Sequence, residues 1–155
     1  MYITVVAALM LVLPAIGITS DVHANQLPLS ADLIGKWFVI WSVGVRLGTA
    51  GLRQTLQPRY TAQVLLSLKS EESLVVVKEL GFANLAIGLV GLMSAFAPSW
   101  WPAGALGGGV FLGLAGINHA IRPHRSSRET FAMASDLWVA VVLLACLLSL
   151  VAGQN

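Results

Sequence analysis

Five ionisable residues lie inside stretches of this sequence that are otherwise apolar enough for a lipid bilayer. They are Arg46, Arg53, Glu79, His119 and Asp136. Charged side chains are costly in hydrocarbon, so such residues normally face a bundle interior, pair with one another and mark functional sites. Arginine can bind an anionic or carbonyl head group, and histidine can exchange protons near neutral pH. The sequence therefore predicts a polar site within the membrane.

The depth of these residues follows from the direction of each predicted span. At 1.5 Å per residue, Arg46 lies about 10 Å deeper than Arg53. The buried ionisable groups are all predicted in the half of the membrane next to the basic loops, and none in the other half. The candidate site comprises Arg46, Arg53, Glu79, Asn84, Asn118, His119 and Asp136. We expect two ion pairs there, Arg53 with Glu79 and Arg46 with Asp136.

Several roles remain open for this cluster. Buried ion pairs can fix helix register without binding anything. A polar pocket could bind the head group of a quinone-like molecule or a lipid, with His119 exchanging protons. A proton or ion pathway is another role, but a continuous relay would need ionisable groups in the opposite half. An intramembrane enzyme would use His119 with Glu79 or Asp136 as acid and base.

The residue pattern predicts no metal site and no catalytic residue. His119 and His124 are separated by Pro123, whereas two metal ligands on one helix are normally three or four residues apart. Cys146 is the single cysteine, which excludes an internal disulfide and a paired-thiol centre. No serine has a nucleophile-elbow context. The sequence requires no cofactor, and a quinone or lipid is the candidate ligand.

The elements that would hold these residues are five apolar stretches. Hydrophobic residues make up 57% of the 155 residues and charged residues 10%, too little polar surface for a soluble domain. A spanning helix needs about 20 apolar residues, and the candidate spans are residues 2–20, 33–56, 74–96, 103–121 and 130–152. The predicted fold is all-α, an integral membrane bundle in one domain of residues 1–155. Helices two to five form a four-helix core, and the N-terminal helix is peripheral.

Local signals refine these elements. Pro14 predicts a kink in the first span, and residues 61–68 a short amphipathic helix on the membrane surface. Ser70 favours the start of the third span, and Ser126-Ser127-Arg128-Glu129 has capping-box spacing. Val22-His23-Ala24 resembles a signal-peptide cleavage site, but no Lys or Arg precedes the apolar run. We therefore expect the first helix to be retained.

Small residues predict where helices approach closely. In the second span, Gly44, Gly48 and Gly51 lie opposite a polar stripe that contains Arg46 and Arg53. The fourth span has two GxxxG spacings, among Gly104, Gly108, Gly109, Gly113 and Gly116. No strand precedes these glycines and no lysine follows them, so they indicate packing and not a phosphate-binding loop.

The distribution of basic residues predicts orientation. Five spans place the N-terminus and the second and fourth loops on one side. That side holds Arg59, Lys69, Arg122, Arg125 and Arg128. The opposite side has Lys36, so the positive-inside rule places the basic side in the cytoplasm and the C-terminus outside.

Tryptophans are expected at the outer ends, namely Trp37, Trp41, Trp100 and Trp101. The net charge of +2 lies in loops and helix ends, so no nucleic-acid partner is predicted.

Several motifs carry a resemblance to a known group of proteins. They are Lys36-Trp37-Phe38, Val45-Arg46-Leu47, Ala50-Gly51-Leu52-Arg53-Gln54, Lys78-Glu79-Leu80-Gly81-Phe82-Ala83-Asn84, Gly113-Leu114-Ala115-Gly116-Ile117-Asn118-His119 and Ser135-Asp136-Leu137. They resemble an uncharacterised family of small bacterial membrane proteins and, more loosely, the DoxX-like four-helix membrane superfamily. That resemblance implies a bacterial inner-membrane location and, for some relatives, quinone or thiol redox systems. This chain lacks the paired cysteines of thiol chemistry.

The leading functional prediction is a non-enzymatic membrane subunit or binding protein. Its intramembrane polar pocket would hold a quinone-like or lipid head group, and it would act within the bilayer, in a larger membrane complex or as a homo-oligomer. The alternative is a proton-coupled transporter or exporter of a small solute.

Overall fold

The chain folds into helices connected mostly by short turns. The computed structural model describes residues 2–65, 68–123 and 126–153, and this part of the chain contains no strand. His124 and Arg125 of the predicted basic loop lie outside the described residues, as do residues 66–67 of the predicted surface helix. The helices are α1, Tyr2–His23; α2, residues 31–56; α3, Tyr60–Leu65; α4, Ser73–Phe96; α5, Trp101–Ile121; and α6, Ser127–Ala152.

Four stretches of the described chain are long and apolar enough to cross a membrane. They are Tyr2–His23, Ser73–Phe96, Pro98–Ile121 and Ser127–Ala152. They match the first, third, fourth and fifth predicted spans, and their length and composition fit a helical membrane protein. The second predicted span corresponds to α2, which is not among these four. It contains Asp32, Lys36, Arg46 and Arg53.

The predicted capping box at the start of α6 is confirmed, whereas Ser70 closes a turn just before α4 and Glu72 is the residue that precedes that helix. At the start of α6, the Ser126 hydroxyl accepts a hydrogen bond from the Glu129 backbone N–H, and the Glu129 carboxylate accepts one from the Ser126 backbone N–H. Before α4, the Ser70 hydroxyl accepts from the Ser73 backbone N–H over 3.3 Å. Hydrogen bonds from its own backbone N–H and from Ser70 hold the pKa of the Glu72 carboxyl below its ordinary value.

Two wide helical turns face each other between α1 and α2. Ala8–Val12 and Val39–Val45 have π-type geometry, in which backbone hydrogen bonds run from residue i to i+5. The first lies just before Pro14, whose ring would clash with the carbonyl four residues earlier in a regular α-helix. The buried Ser42 hydroxyl donates to the Leu9 carbonyl oxygen over 3.3 Å, so it satisfies a backbone group within the wide turn.

The hydrophobic core combines residues from α1, α2, α5 and α6. Met10, Val43, Leu112 and Leu143 have side chains that are completely buried in one cluster. Helix α1 therefore enters the core through Met10 instead of lying only at its periphery. The α4 helix contributes differently, because among its buried residues only Val77 has a large apolar side chain.

Helices α2 and α4 touch through backbone at three glycine pairs. A Cβ added at Gly88 would lie 2.6 Å from the Gly48 nitrogen, and one at Gly91 would lie 2.7 Å from the Gly44 nitrogen. At Gly51, an added Cβ would lie 2.7 Å from the Gly81 carbonyl oxygen. The predicted packing face of α2 is thus confirmed, and its partner is α4.

Two glycines of α5 make room for side chains of α2. Added Cβ atoms at Gly104 and Gly108 would overlap Val39 and Val43 of α2. These contacts advance in the same direction along both helices, so α2 and α5 run parallel and end on the same side. We call that side the basic end, defined by Arg59, Lys69, Arg122 and Arg128, and the opposite side the tryptophan end, defined by Trp37, Trp100 and Trp101.

Candidate functional site

The most buried charges of the predicted site form the ion pair expected between α2 and α6. Arg46 Nη2 donates to Asp136 Oδ1 over 2.7 Å, and the side chains are 14% and 5% exposed. Arg46 is the first residue after the wide turn Val39–Val45, and Asp136 lies on the buried face of α6. An unpaired charge would be costly at this depth because it is removed from solvent. Here each charge is neutralised by the other.

Other polar groups surround this pair. His119, near the end of α5, lies within electrostatic reach of Asp136 and Glu129, and Tyr2 of α1 lies within reach of Arg46 and Asp136. Arg46 Nε is buried with no hydrogen-bond partner among the described residues. Asn118 is exposed and lies outside this group. The structure thus pairs Arg46 with Asp136 and places His119 in the neighbourhood of this pair.

The predicted pair between Arg53 and Glu79 is wrong. No ion pair joins them in the part of the chain that the structure describes. The Arg53 guanidinium lies instead over the ring of Tyr60, 3.7 Å from the ring centroid, and Glu79 is exposed on α4. Similar depth alone does not make two side chains face each other, because the rotation of each helix also decides their direction.

Asn84 makes a separate polar contact between α4 and α2. Its side-chain amide donates to Gln54 Oε1 over 2.7 Å, and the residue is 4% exposed. Its own Oδ1 has no partner among the described residues. This contact lies beside the glycine pairs and supports the close approach of α2 and α4.

An open apolar groove follows the other side of this helix pair. Its volume is about 250 Å³. It is lined by Gly44, Val45, Gly48, Thr49, Leu52, Leu85, Leu89 and Leu92. The Thr49 hydroxyl donates to the Arg46 carbonyl oxygen, so the groove offers almost no free polar group. A Cβ added at Gly48 would meet no atom within 4 Å, so this glycine leaves the groove open.

A carboxylate that the sequence did not predict to be buried lies at the tryptophan end. Asp21 is 6% exposed and accepts hydrogen bonds from Trp37 Nε1 at 2.8 Å, Asn25 Nδ2 at 2.7 Å and Lys36 Nζ at 3.3 Å. The prediction that no ionisable group is buried in this half is therefore wrong. Asp21 directly follows the first predicted span, residues 2–20, and precedes the residues that resemble a cleavage site, and no pattern in the sequence indicated its burial.

Tryptophan, glycine and aspartate form two similar contacts at this end. The Trp37 ring packs against Gly17, where an added Cβ would overlap it, and its N–H donates to Asp21. The Trp101 ring packs against Gly35 and donates to Asp32 Oδ1 over 3.1 Å. These contacts join α1 to α2 and α2 to α5.

Trp41 does not lie at this end. It stands ten residues after the start of α2, roughly 15 Å along the helix, within the wide turn Val39–Val45. Its predicted place at a helix end is therefore wrong.

Among the described residues, no three His, Cys, Asp or Glu side chains converge as metal ligands would.

Comparison with known proteins gives a family but no activity. The whole chain, residues 1–155, matches the model of a family of unknown function, DUF6790. No curated protein and no solved structure matches the chain. The family match spans all the helices described above, including those that contribute Arg46, Asp136 and the groove.

Proposed function

We propose that this chain, which belongs to the DUF6790 family of unknown function, is a non-enzymatic membrane protein that binds an amphiphile through the α2–α4 groove. The observation that carries this proposal is the groove itself, an apolar channel kept open by Gly48. Close contact at the glycine pairs holds its two walls together. Such a groove accepts a lipid or quinone-like tail and provides no group for chemistry on it.

The same proposal places all five long helices across the membrane. Helix α2, residues 31–56, is longer than the about 20 residues that a span needs. Two of its charges are paired inside the bundle, Lys36 with Asp21 and Arg46 with Asp136. Pairing removes much of the cost that these charges would have in lipid.

Orientation and location extend this proposal. The basic end lies in the cytoplasm and the C-terminus outside, because cytoplasmic loops carry the excess of Lys and Arg. The resemblance of its motifs to small bacterial membrane proteins supports a location in the bacterial inner membrane. In this arrangement the groove lies next to the cytoplasmic leaflet at Leu52 and reaches toward the middle of the bilayer at Gly44.

A matched pair of glycine substitutions tests the groove. Gly48→Leu should fill it, because the new side chain points into open space. Gly107→Leu is the control, since Gly107 of α5 also faces open space but does not line the groove. Native mass spectrometry after mild detergent extraction should show a retained amphiphile in the wild type and in Gly107→Leu, and a large loss in Gly48→Leu. Equal retention by both variants would refute the proposal.

Proton-coupled transport is a second candidate, and one observation favours it. Asp21 and Asp136 are both buried carboxylates, and they lie toward opposite ends of the bundle, as a proton pathway would require. With a pH gradient across the membrane, the interior of liposomes that contain the protein would then acidify faster than that of empty liposomes, as reported by a trapped pH-sensitive dye. Asp136→Asn should abolish that flux, and an unchanged rate would exclude this candidate.

A further inference from the structure

We infer that the amphiphile in the groove is an anionic glycerophospholipid, with an acyl chain along the groove and its phosphate on Arg53. This inference rests on the proposed function and names its ligand class. In a bilayer, a lipid tail gains little by leaving other tails for an apolar groove, because all are similarly apolar. Selection among amphiphiles therefore depends on the groups at the end of the groove.

Arg53 stands at the basic end of the groove. It lies one turn beyond Thr49, which lines the groove, and about 40° around α2 from it, on the side away from Gly44 and Gly48. Its guanidinium packs on the Tyr60 ring at 3.7 Å. This places the charge beside Tyr60, the first residue of α3, and long basic side chains near helix ends extend toward the head-group level in this way.

The hydrogen-bond donors of Arg53 are available to a ligand. Its side chain makes no hydrogen bond and no ion pair with any described residue, and it is exposed. By contrast, Arg59 pairs with Glu71 at 3.1 Å, and Arg122 pairs with Glu129 at 3.8 Å. Stacking on an aromatic ring orients a guanidinium and leaves its N–H groups free for bidentate binding of phosphate.

Lys78 adds a second positive charge on the facing helix. It precedes Leu85 of the groove by seven residues, so it shares that face of α4 and lies roughly 10 Å nearer the basic end. Lys78 is exposed and forms no ion pair with a described residue. Glu79 is also exposed and lies about 120° around α4 from Leu85, so it faces the groove less directly than Lys78 does. Two cations thus flank the position where a head group would leave the groove.

Competition between two lipids tests this inference. Purified protein in mild detergent is titrated with phosphatidylglycerol and phosphatidylcholine of identical acyl chains, and bound lipid is counted by native mass spectrometry. Both lipids carry a phosphate, so we expect the wild type to prefer phosphatidylglycerol by roughly tenfold because the choline of phosphatidylcholine adds a positive charge that Arg53 and Lys78 repel. Arg53→Gln and Lys78→Gln should each reduce this preference severalfold.

Matched variants make the result specific. Arg59→Gln removes a charge at the same end that is already paired with Glu71, so it should keep the preference. Arg53→Lys keeps the charge but loses the bidentate geometry, so an intermediate preference is expected, and it serves as the second variant if Arg53→Gln does not fold.

The outcomes separate this inference from the proposed function. Equal binding of both lipids by the wild type, or an unchanged preference in Arg53→Gln, would overturn the anionic-lipid assignment. Loss of both lipids in Gly48→Leu would still support the groove as the tail site. If Gly48→Leu binds both lipids as the wild type does, the groove is not the site and both proposals fail. A stable dimer that Gly48→Leu dissociates would identify a second copy as the occupant and would also refute both.

Discussion

Arg46 on α2 and Asp136 on α6 form a hydrogen-bonded ion pair of 2.7 Å across ninety residues of sequence. Both side chains are largely buried, so this pair fixes the rotation and register of two helices that are not neighbours in the chain.

Removing one member of this pair should destabilise the protein more than removing both. Arg46→Leu or Asp136→Leu alone leaves a buried charge unpaired, which costs about 3–5 kcal/mol. The double variant leaves no charge and should recover much of that loss. The free energy of unfolding, measured by titrating the mild-detergent form with SDS, gives the coupling from the double-mutant cycle. Purely additive effects would mean that the pair contributes no coupling.

Gly88 and Gly48 should respond differently to alanine although they face each other. An added Cβ at Gly88 would lie 2.6 Å from the Gly48 backbone nitrogen, whereas at Gly48 it meets open space. Gly88→Ala should therefore push α4 from α2 and cost roughly 1–3 kcal/mol. Gly48→Ala should leave the unfolding free energy almost unchanged, and similar losses in both variants would contradict the observed contact.

The contact between Trp37 and Asp21 should stabilise the tryptophan end. Trp37→Phe keeps the ring against Gly17 but removes the hydrogen bond to a buried carboxylate, a change of about 1.5–3 kcal/mol. Trp100→Phe is the control, because Trp100 is 44% exposed and makes no such bond. Thermal unfolding followed by circular dichroism should show a lower Tm for Trp37→Phe only.

The capping box at the start of α6 allows a local test. Ser126→Ala removes the acceptor for the Glu129 backbone N–H and should cost about 1 kcal/mol. Ser127→Ala changes an exposed neighbouring residue that makes no capping bond, so its unfolding free energy should match the wild type. Hydrogen exchange of the first turn of α6 should increase in Ser126→Ala and not in Ser127→Ala.

Much of the architecture was readable from the sequence. The length and composition of the apolar stretches predict the long helices, because a bilayer excludes unpaired backbone groups. Ser126 and Glu129 predict the start of α6, because capping depends on residues three positions apart. The small residues of α2 and α5 predict close packing, and the pairing of Arg46 with Asp136 followed from matching depth and opposite charge.

Tertiary structure alone decided which side chains face each other. Helical periodicity gives the faces within one helix but not the rotation of that helix against its neighbours. Glu79 therefore forms no ion pair with Arg53, whose guanidinium packs on the Tyr60 ring instead. The burial of Asp21 likewise depends on α2 presenting Lys36 and Trp37 to it. The groove exists because the glycine pairs bring two backbones together while Gly48 leaves the adjoining space empty, a relationship between helices that no spacing within one helix specifies.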